Sequence, residues 1–152
     1  MTRAPFNALV YPCIKVGDNE FEYALLKRSD MGFWQGVAGG GEGNETPLEA
    51  ARRETYEETG IPVDSTFIKL DTVAPVPVTE FNVGHLWGEH VYVIPQYGFG
   101  VLVKNRQIVL SHEHIEYRWL TYQDARDRMN YEDSKTALWE LDRRLRGLGP
   151  RD

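Results

Sequence analysis

Three carboxylates, Glu54, Glu57 and Glu58, stand at i, i+3 and i+4, the spacing that puts side chains on one face of an α-helix. A fourth, Glu45, lies in the lead-in to the same segment, which reads GGGEGNETPLEAARRETYEETGI over residues 39–61. Like charges held this close repel one another at neutral pH, so the arrangement is costly unless a cation sits among them. Grouped carboxylate oxygens are the donor set that Mg²⁺ or Mn²⁺ prefers, and an ion bound this way commonly shares its coordination with phosphate and water. A helix rich in Glu and Arg is ordinarily a solvated face with i,i+4 pairs, and Arg53 with Glu57 fits that description. It leaves the glycines and Glu45 unexplained.

The elements that must position these groups are partly legible. Thr46-Pro47-Leu48-Glu49 offers Thr as N-cap, Pro at the first helical position and Glu at N3, the signature of a capping box. Gly60 suits the position just past the helix, and Pro62 forbids its continuation. Leu48, Ala51 and Thr55 are predicted to face the core. Upstream, residues 6–16 read as a strand, 17–19 as a turn and 21–28 as the returning strand. Residues 34–38 form a short strand entering the glycine run, where the backbone can approach a ligand closely. Downstream, strands are expected over 66–73, 90–94, 98–103, 107–110 and 116–120, with Pro75 and Pro77 marking a loop or an edge strand. Helices are expected near 121–129 and 134–146, the second with an apolar stripe of Ala137, Leu138, Leu141 and Leu145. The closing GLGPRD should fray. This order implies a mixed sheet with helices on its faces, an α+β arrangement.

At 152 residues the chain is expected to form one domain over 1–152. Its 41% hydrophobic content suffices for a core. A formal net charge of -6 argues against a nucleic-acid-binding surface. It does not argue against a phosphate substrate, because a bound metal reverses the local field. Cys13 is the only cysteine, so no intrachain disulfide can form. No run approaches the roughly 20 apolar residues that span a bilayer. A cytoplasmic protein without a membrane partner is expected, and homodimerisation is left open.

Segment 39–61 resembles the Nudix box, G-x5-E-x7-R-E-U-x-E-E-x-G-U with U a bulky aliphatic. Gly39, Glu45, Arg53, Glu54, Glu57, Glu58, Gly60 and Ile61 fall on the pattern. Thr55 departs from it, standing where an aliphatic is usual. The resemblance implies an α/β/α sandwich and hydrolysis of a nucleoside diphosphate derivative by water attack on phosphorus. Positioning and charge stabilisation by a divalent cation would do the work, with no covalent nucleophile. It also implies that Glu54, Glu57 and Glu58 hold Mg²⁺ (or Mn²⁺) with the Gly39 carbonyl, that Arg53 orients a carboxylate and that Glu45 braces the loop. The base in this family often lies outside the box. Glu113, in Leu110-Ser111-His112-Glu113-His114, is the candidate for that role and for a further metal contact. His112 and His114 are rivals because His titrates near neutrality, although both read more simply as surface loop residues; Glu116 is a weaker rival.

Resemblance extends to the dihydroneopterin triphosphate pyrophosphohydrolase branch, also described as acting on dATP. The runs that carry it are Phe33-Trp34-Gln35-Gly36-Val37, Gln107-Ile108-Val109-Leu110 and Tyr117-Arg118-Trp119-Leu120. That branch has Thr where this chain has Ala38. Pro77, Val78 and Thr79 stand where dinucleoside polyphosphate hydrolases carry a Tyr, and Pro75 and Pro77 flank the position of the Pro in ADP-ribose hydrolases. The coenzyme A branch has Phe-Pro-Gly-Gly in place of Val37-Ala38-Gly39-Gly40. A purine or pterin ring needs an aromatic slot with a few polar contacts. Trp34 beside the glycines suits either that slot or the core, Gly40 suits close backbone approach, and Arg28 suits phosphate. Trp87 and Tyr92 are further candidates for the slot. A ligand-sensing module without catalysis is the other class of reading; such modules usually lose box carboxylates, and none is missing here.

Overall fold

The computed structural model describes residues 2–151. Its frame is β1, Arg3–Gly17, whose residues 7–14 are buried on both faces, the pattern of a central strand. One edge of β1 pairs antiparallel with two partners at different heights, β2 (Glu20–Arg28) and β4 (Val37–Glu42). Its other edge pairs parallel with β6 (Val93–Leu102). The sheet runs β3 (Trp34–Gln35), β2, β1, β6, β5 (Thr66–Pro77), with β7 (His114–Leu120) paired to β2. Pro75 and Pro77 lie on β5, an edge strand, where the missing N–H can face away from the ladder.

Helices cover both faces. α1 (Pro47–Thr59) closes a core of Ala8, Val10, Leu26, Val37, Ala51 and Phe99. α2 (Tyr122–Arg128) and α3 (Glu132–Leu145) close the opposite core around Tyr11, Tyr23, Leu25, Leu138 and Leu141. Tyr11 and Tyr23 are fully buried, so each hydroxyl needs a partner. Tyr11 bonds the Ser134 carbonyl at 3.1 Å, and Tyr23 donates to Asp142 at 2.6 Å. This is a mixed α/β sandwich. No helix among the described residues is long and apolar enough to cross a membrane.

Several sequence expectations change. Residues 98–102 and the end of 90–94 belong to one strand, β6, and residues 90–92 and 103 lie outside it. Residues 107–110 form no strand. The Val109 amide bonds the Thr59 carbonyl at 2.8 Å, so this segment satisfies the C-terminal end of α1 instead of joining the sheet. Leu48 is 39% exposed, because α1 turns Ala50, Ala51 and Thr55 inward instead. The expected fraying of GLGPRD is opposed up to Arg151, the last residue described: Arg143 donates to the carbonyls of Leu148, Gly149 and Arg151.

The departure at Thr55 has a structural cost. Its side chain is fully buried and its Oγ1 has no hydrogen-bond partner, which forfeits the hydration of a hydroxyl without replacing it. Thr55→Val should therefore stabilise the protein by about 1 kcal/mol, read as a rise of a few degrees in Tm. A fall in Tm would mean that the hydroxyl finds a partner in solution.

Candidate active site

The site is built at the junction of β4 and α1. Thr46 caps α1 by accepting the Glu49 amide at 3.2 Å, while the Glu49 carboxylate accepts the Thr46 amide at 2.8 Å. Gly60 ends the helix in the left-handed region at φ 76°, a conformation that favours glycine. Between these stops, Arg53 reaches the other members. Its Nε and Nη2 donate to the two oxygens of Glu45 at 2.8 and 3.0 Å. Its Nη1 donates to Glu54 at 2.9 Å and to Glu57 at 3.2 Å, and Nη2 also donates to the Gly40 carbonyl at 2.7 Å. Glu45 in turn accepts the Glu42 amide at 2.9 Å. One guanidinium thus ties the loop, the strand and the helix together, and it holds the Glu45 carboxyl below the usual range.

The carboxylates occupy different environments. Glu54 lies against Gly39 so closely that a Cβ there would sit 2.2 Å from the Glu54 carboxyl carbon. Burial, offset in part by Arg53 and reinforced by repulsion from Glu57 and Glu58, pushes Glu54 up to about 7. Glu57 is half exposed. Glu58 is buried and accepts from Ser111 Oγ at 2.7 Å, with His114 Nδ1 at 3.1 Å. His114 is itself buried, so the surface-loop reading of it is corrected: β7 begins at this residue and turns its ring under α1 toward Glu58. His112 is exposed on the loop.

The donor set fits a hard divalent cation. It consists of carboxylate oxygens and a glycine carbonyl on one helix face and the adjoining strand. Burial first, and then the negative charge of Glu57 and Glu58, raises Glu54, and a cation beside it would oppose both. Among the described residues no three Asp, Glu, His or Cys side chains are gathered at ligating distance. Arg53 draws Glu54 and Glu57 one way while Ser111 and His114 draw Glu58 the other.

Glu113 is exposed, and its carboxylate makes no hydrogen bond or ion pair among the described residues; its carbonyl accepts from Ser29 Oγ at 3.1 Å. Glu116 pairs with Arg118 at 2.7 Å. Ser111 and His114 are the contacts with the box that sequence reasoning did not single out as such. The usable signal was their place in the same short loop as Glu113.

On the other side of β4 lies a cavity of about 280 Å³. Strand alternation explains its relation to the carboxylates: Ala38 lines the cavity while the next residue, Gly39, meets Glu54. Phe33, Trp34, Phe81 and Tyr131 give it aromatic walls, and Asn7, Gln35 and Gln96 supply polar groups. Asn7 Nδ2 donates to Gln96 Oε1 at 3.2 Å. Arg28 is on the rim, but its guanidinium is paired with both oxygens of Asp30, at 2.9 and 2.6 Å. Trp34 serves two purposes. It lines the cavity and packs on the α2–α3 core, and Lys27, Arg118 and Arg128 stand 6.0, 5.6 and 5.4 Å from its ring. Trp87 and Tyr92 do not line the cavity; Phe81 takes that place, with Trp87 against it at 5.7 Å between ring centroids and Tyr92 exposed.

The NUDIX domain matches residues 10–139, and the chain belongs to this family, whose members are pyrophosphohydrolases. A Listeria monocytogenes protein assigned to the NUDIX hydrolases superposes with a TM-score of 0.84 at 37% identity, over 95% of this chain and 96% of that one. The Escherichia coli dihydroneopterin triphosphate pyrophosphohydrolase superposes with a TM-score of 0.73 at 27% identity, over 90% and 93%. The asymmetrical bis(5'-nucleosyl)-tetraphosphatase of Rattus norvegicus is 31% identical over 134 residues, 83% of this chain and 82% of that one.

The raised Glu54 has a signed consequence. Its native state binds a proton that the unfolded chain, titrating near 4.5, has released, so its contribution to stability is present at low pH and is lost as pH rises from 4.5 to about 7. In EDTA the stability of wild type should fall across this window relative to Glu54→Gln, by on the order of 1 kcal/mol once the solvent reaching the group is allowed for. Proton competition should raise the Mg²⁺ concentration needed for half-activation as pH drops below 7. Equal pH slopes in the two proteins would refute the shift.

Proposed function

We propose that this chain is a divalent-metal-dependent pyrophosphohydrolase of triphosphate-like substrates, dihydroneopterin triphosphate or a deoxynucleoside triphosphate such as dATP. The observation that carries the reading is the placement of an aromatic cavity and a carboxylate cluster on opposite faces of β4, at the consecutive residues Ala38 and Gly39. A flat ring in the cavity leaves its phosphates to pass the glycines toward Glu54. The similarity to the E. coli dihydroneopterin triphosphate enzyme supports this choice of substrate class.

Glu54, Glu57, Glu58 and the Gly39 carbonyl would hold Mg²⁺ (or Mn²⁺), which when bound supplies Lewis acidity and neutralises charge on the phosphates. The remaining work belongs to the chain. Arg53 keeps Glu54 and Glu57 turned toward the strand, and Glu45 keeps Arg53 in place. Ser111 and His114 fix Glu58 from the β7 side. Glu113 carries an exposed carboxylate, without a hydrogen bond or ion pair among the described residues, on the loop that reaches Glu58, and it takes the proton of the attacking water. The cleavage breaks a phosphoanhydride P–O bond and forms a P–O bond to water, releasing two phosphate products.

A second reading has support of its own. The 31% identical rat relative cleaves dinucleoside tetraphosphates by its name, so this substrate belongs in the same assay.

With Mg²⁺ present, dihydroneopterin triphosphate or dATP should be hydrolysed faster than ADP-ribose or diadenosine tetraphosphate, and EDTA should abolish the activity reversibly. Full activity in EDTA would sink the metal requirement, and preference for the tetraphosphate would transfer the chain to the second reading. Glu58→Gln should cost about 10²-fold or more in kcat, ~3 kcal/mol in the barrier, with the fold kept. Glu113→Gln should lower kcat at nearly constant KM. A larger loss in His114→Gln, tracking a titration near neutrality, would move the base to the histidine.

A further inference from the structure

Arg3, at the start of β1, is half-buried, and no carboxylate lies within ion-pair distance of it among the described residues. This contrasts with Arg53, a short distance away, which is within ion-pair reach of Glu42, Glu45, Glu54 and Glu57. A guanidinium withdrawn from water without an anion is unfavourable, and burial accordingly pulls its pKa down. Yet the structure holds Arg3 in place from several directions. Its Cζ stands 5.2 Å from the centre of the Phe81 ring and 5.5 Å from that of Trp87. Trp87 Nε1 donates to the Arg3 carbonyl at 2.9 Å. Nη1 donates to the carbonyls of Ala4 and Phe6 at 2.6 and 2.7 Å, and Nη2 to Asn7 Oδ1 at 2.6 Å. Of five N–H donors, Nε–H and one on Nη2 are left without a partner among the described residues.

The position of the group is as telling as its missing partner. Arg3 covers Gly40, where a Cβ would lie 1.8 Å from its Cζ. Glu54 and Glu42 are close enough to act on its charge. Its hydrogen-bond partner Asn7 lines the aromatic cavity. Arg3 therefore stands between the cavity and the carboxylates.

We propose that Arg3 is a substrate-binding residue whose two spare N–H donors receive a phosphate oxygen of the polyphosphate chain, and that Phe81 and Trp87 are positioning residues that clamp it. Guanidinium planes suit phosphate oxygens, and stacking on aromatic faces fixes the plane before substrate arrives. The two 3-10 turns at Val78–Glu80 and Gly84–Trp87 acquire a purpose by this assignment, since they carry the clamp. The inference rests on the triphosphate reading above and specifies which residue outside the box meets the phosphates.

The test is steady-state kinetics with dATP and dihydroneopterin triphosphate in Mg²⁺, together with competitive inhibition by inorganic tripolyphosphate. Arg3→Gln should raise KM and the inhibition constant by on the order of tenfold, leaving kcat within about threefold. Arg3→Lys should recover part of the loss, because charge survives while the fork does not. Phe81→Leu and Trp87→Leu should raise KM in the same direction with the Arg3 side chain intact. Unchanged KM and inhibition constant in an active Arg3→Gln enzyme would overturn the proposal, as would a fall in kcat alone, which would mean that Arg3 acts by supporting Glu54. If Arg3→Gln proves too unstable to assay, Arg3→Lys with the two clamp variants decides the matter by the same KM criterion. If wild type hydrolyses none of these substrates, the triphosphate reading fails instead. Calorimetric binding of tripolyphosphate to wild type and Arg3→Gln then tests the residue by itself, and equal affinities refute it.

Discussion

Arg53 is one positive charge shared among Glu45, Glu54, Glu57 and, at 3.8 Å, Glu42. The geometry of the site follows from that imbalance. A single guanidinium can fix the direction of these carboxylates through its planar fork, but it cannot neutralise them. What remains is an organised negative charge partly withdrawn from water, and Glu54 responds by holding a proton to about pH 7. The fold carries this cost because both ends of α1 are secured independently, by the Thr46–Glu49 capping box and by Gly60. A helix so capped stays formed while its central turn is electrostatically unfavourable. A divalent cation entering such a cluster replaces repulsion with attraction, so the cost in its absence and the affinity for it have one cause.

The sheet explains why the charge cluster and the cavity are neighbours. β1 is long enough to take β4 beside its first half and β2 beside its second. β4 therefore lies flat between α1 and the opposite layer, and its residues alternate between them. Gly39 opens toward Glu54 because no side chain fits there, whereas Ala38 turns to the cavity. The glycines serve close approach more than backbone conformation: none of Gly39, Gly40 or Gly41 has positive φ. Each is instead covered by a side chain, of Glu54, Arg3 and Phe6 respectively.

Local rules account for what the sequence revealed. The caps of α1, the first hairpin and the apolar stripe of α3 are set by residues a few positions apart, and they appear where the sequence places them, to within one to three residues. The spacing of Glu54, Glu57 and Glu58 likewise requires only helical periodicity. The failures needed long-range knowledge. Leu48 looks inward on a helical wheel, yet the folded helix buries Ala50 and Ala51 and leaves Leu48 exposed. Residues 107–110 form an apolar run like that of a strand, but the group they meet belongs to the end of α1. His114 reads as a loop residue because nothing within ten positions shows that Glu58 lies across from it. Arg3 gives no sign at all in sequence, since its meaning comes from Gly40, Phe81 and Trp87, brought together only by the folded sheet.

Substrate choice must reside in these long-range parts. The acidic helix and its caps are matched to a cation and a phosphoanhydride, which every candidate substrate contains, so they cannot discriminate among them. In the proposed reading, the groups available to the rest of a ligand are the aromatic walls, the Asn7–Gln96 pair and the segment between β5 and β6 that carries Phe81 and Trp87. That segment is held by few backbone bonds besides those of its own turns, the Val78 amide to the Tyr92 carbonyl at 3.0 Å being one that closes it. A connection that touches the sheet mainly through Phe81 and Trp87 at Arg3 can change length and residue type elsewhere without disturbing either core. Such a fold can keep one chemistry while the occupant of the cavity varies, and here Phe81 and Trp87 bring that segment against Arg3 at the start of β1, close enough to Glu54 for the two charges to interact.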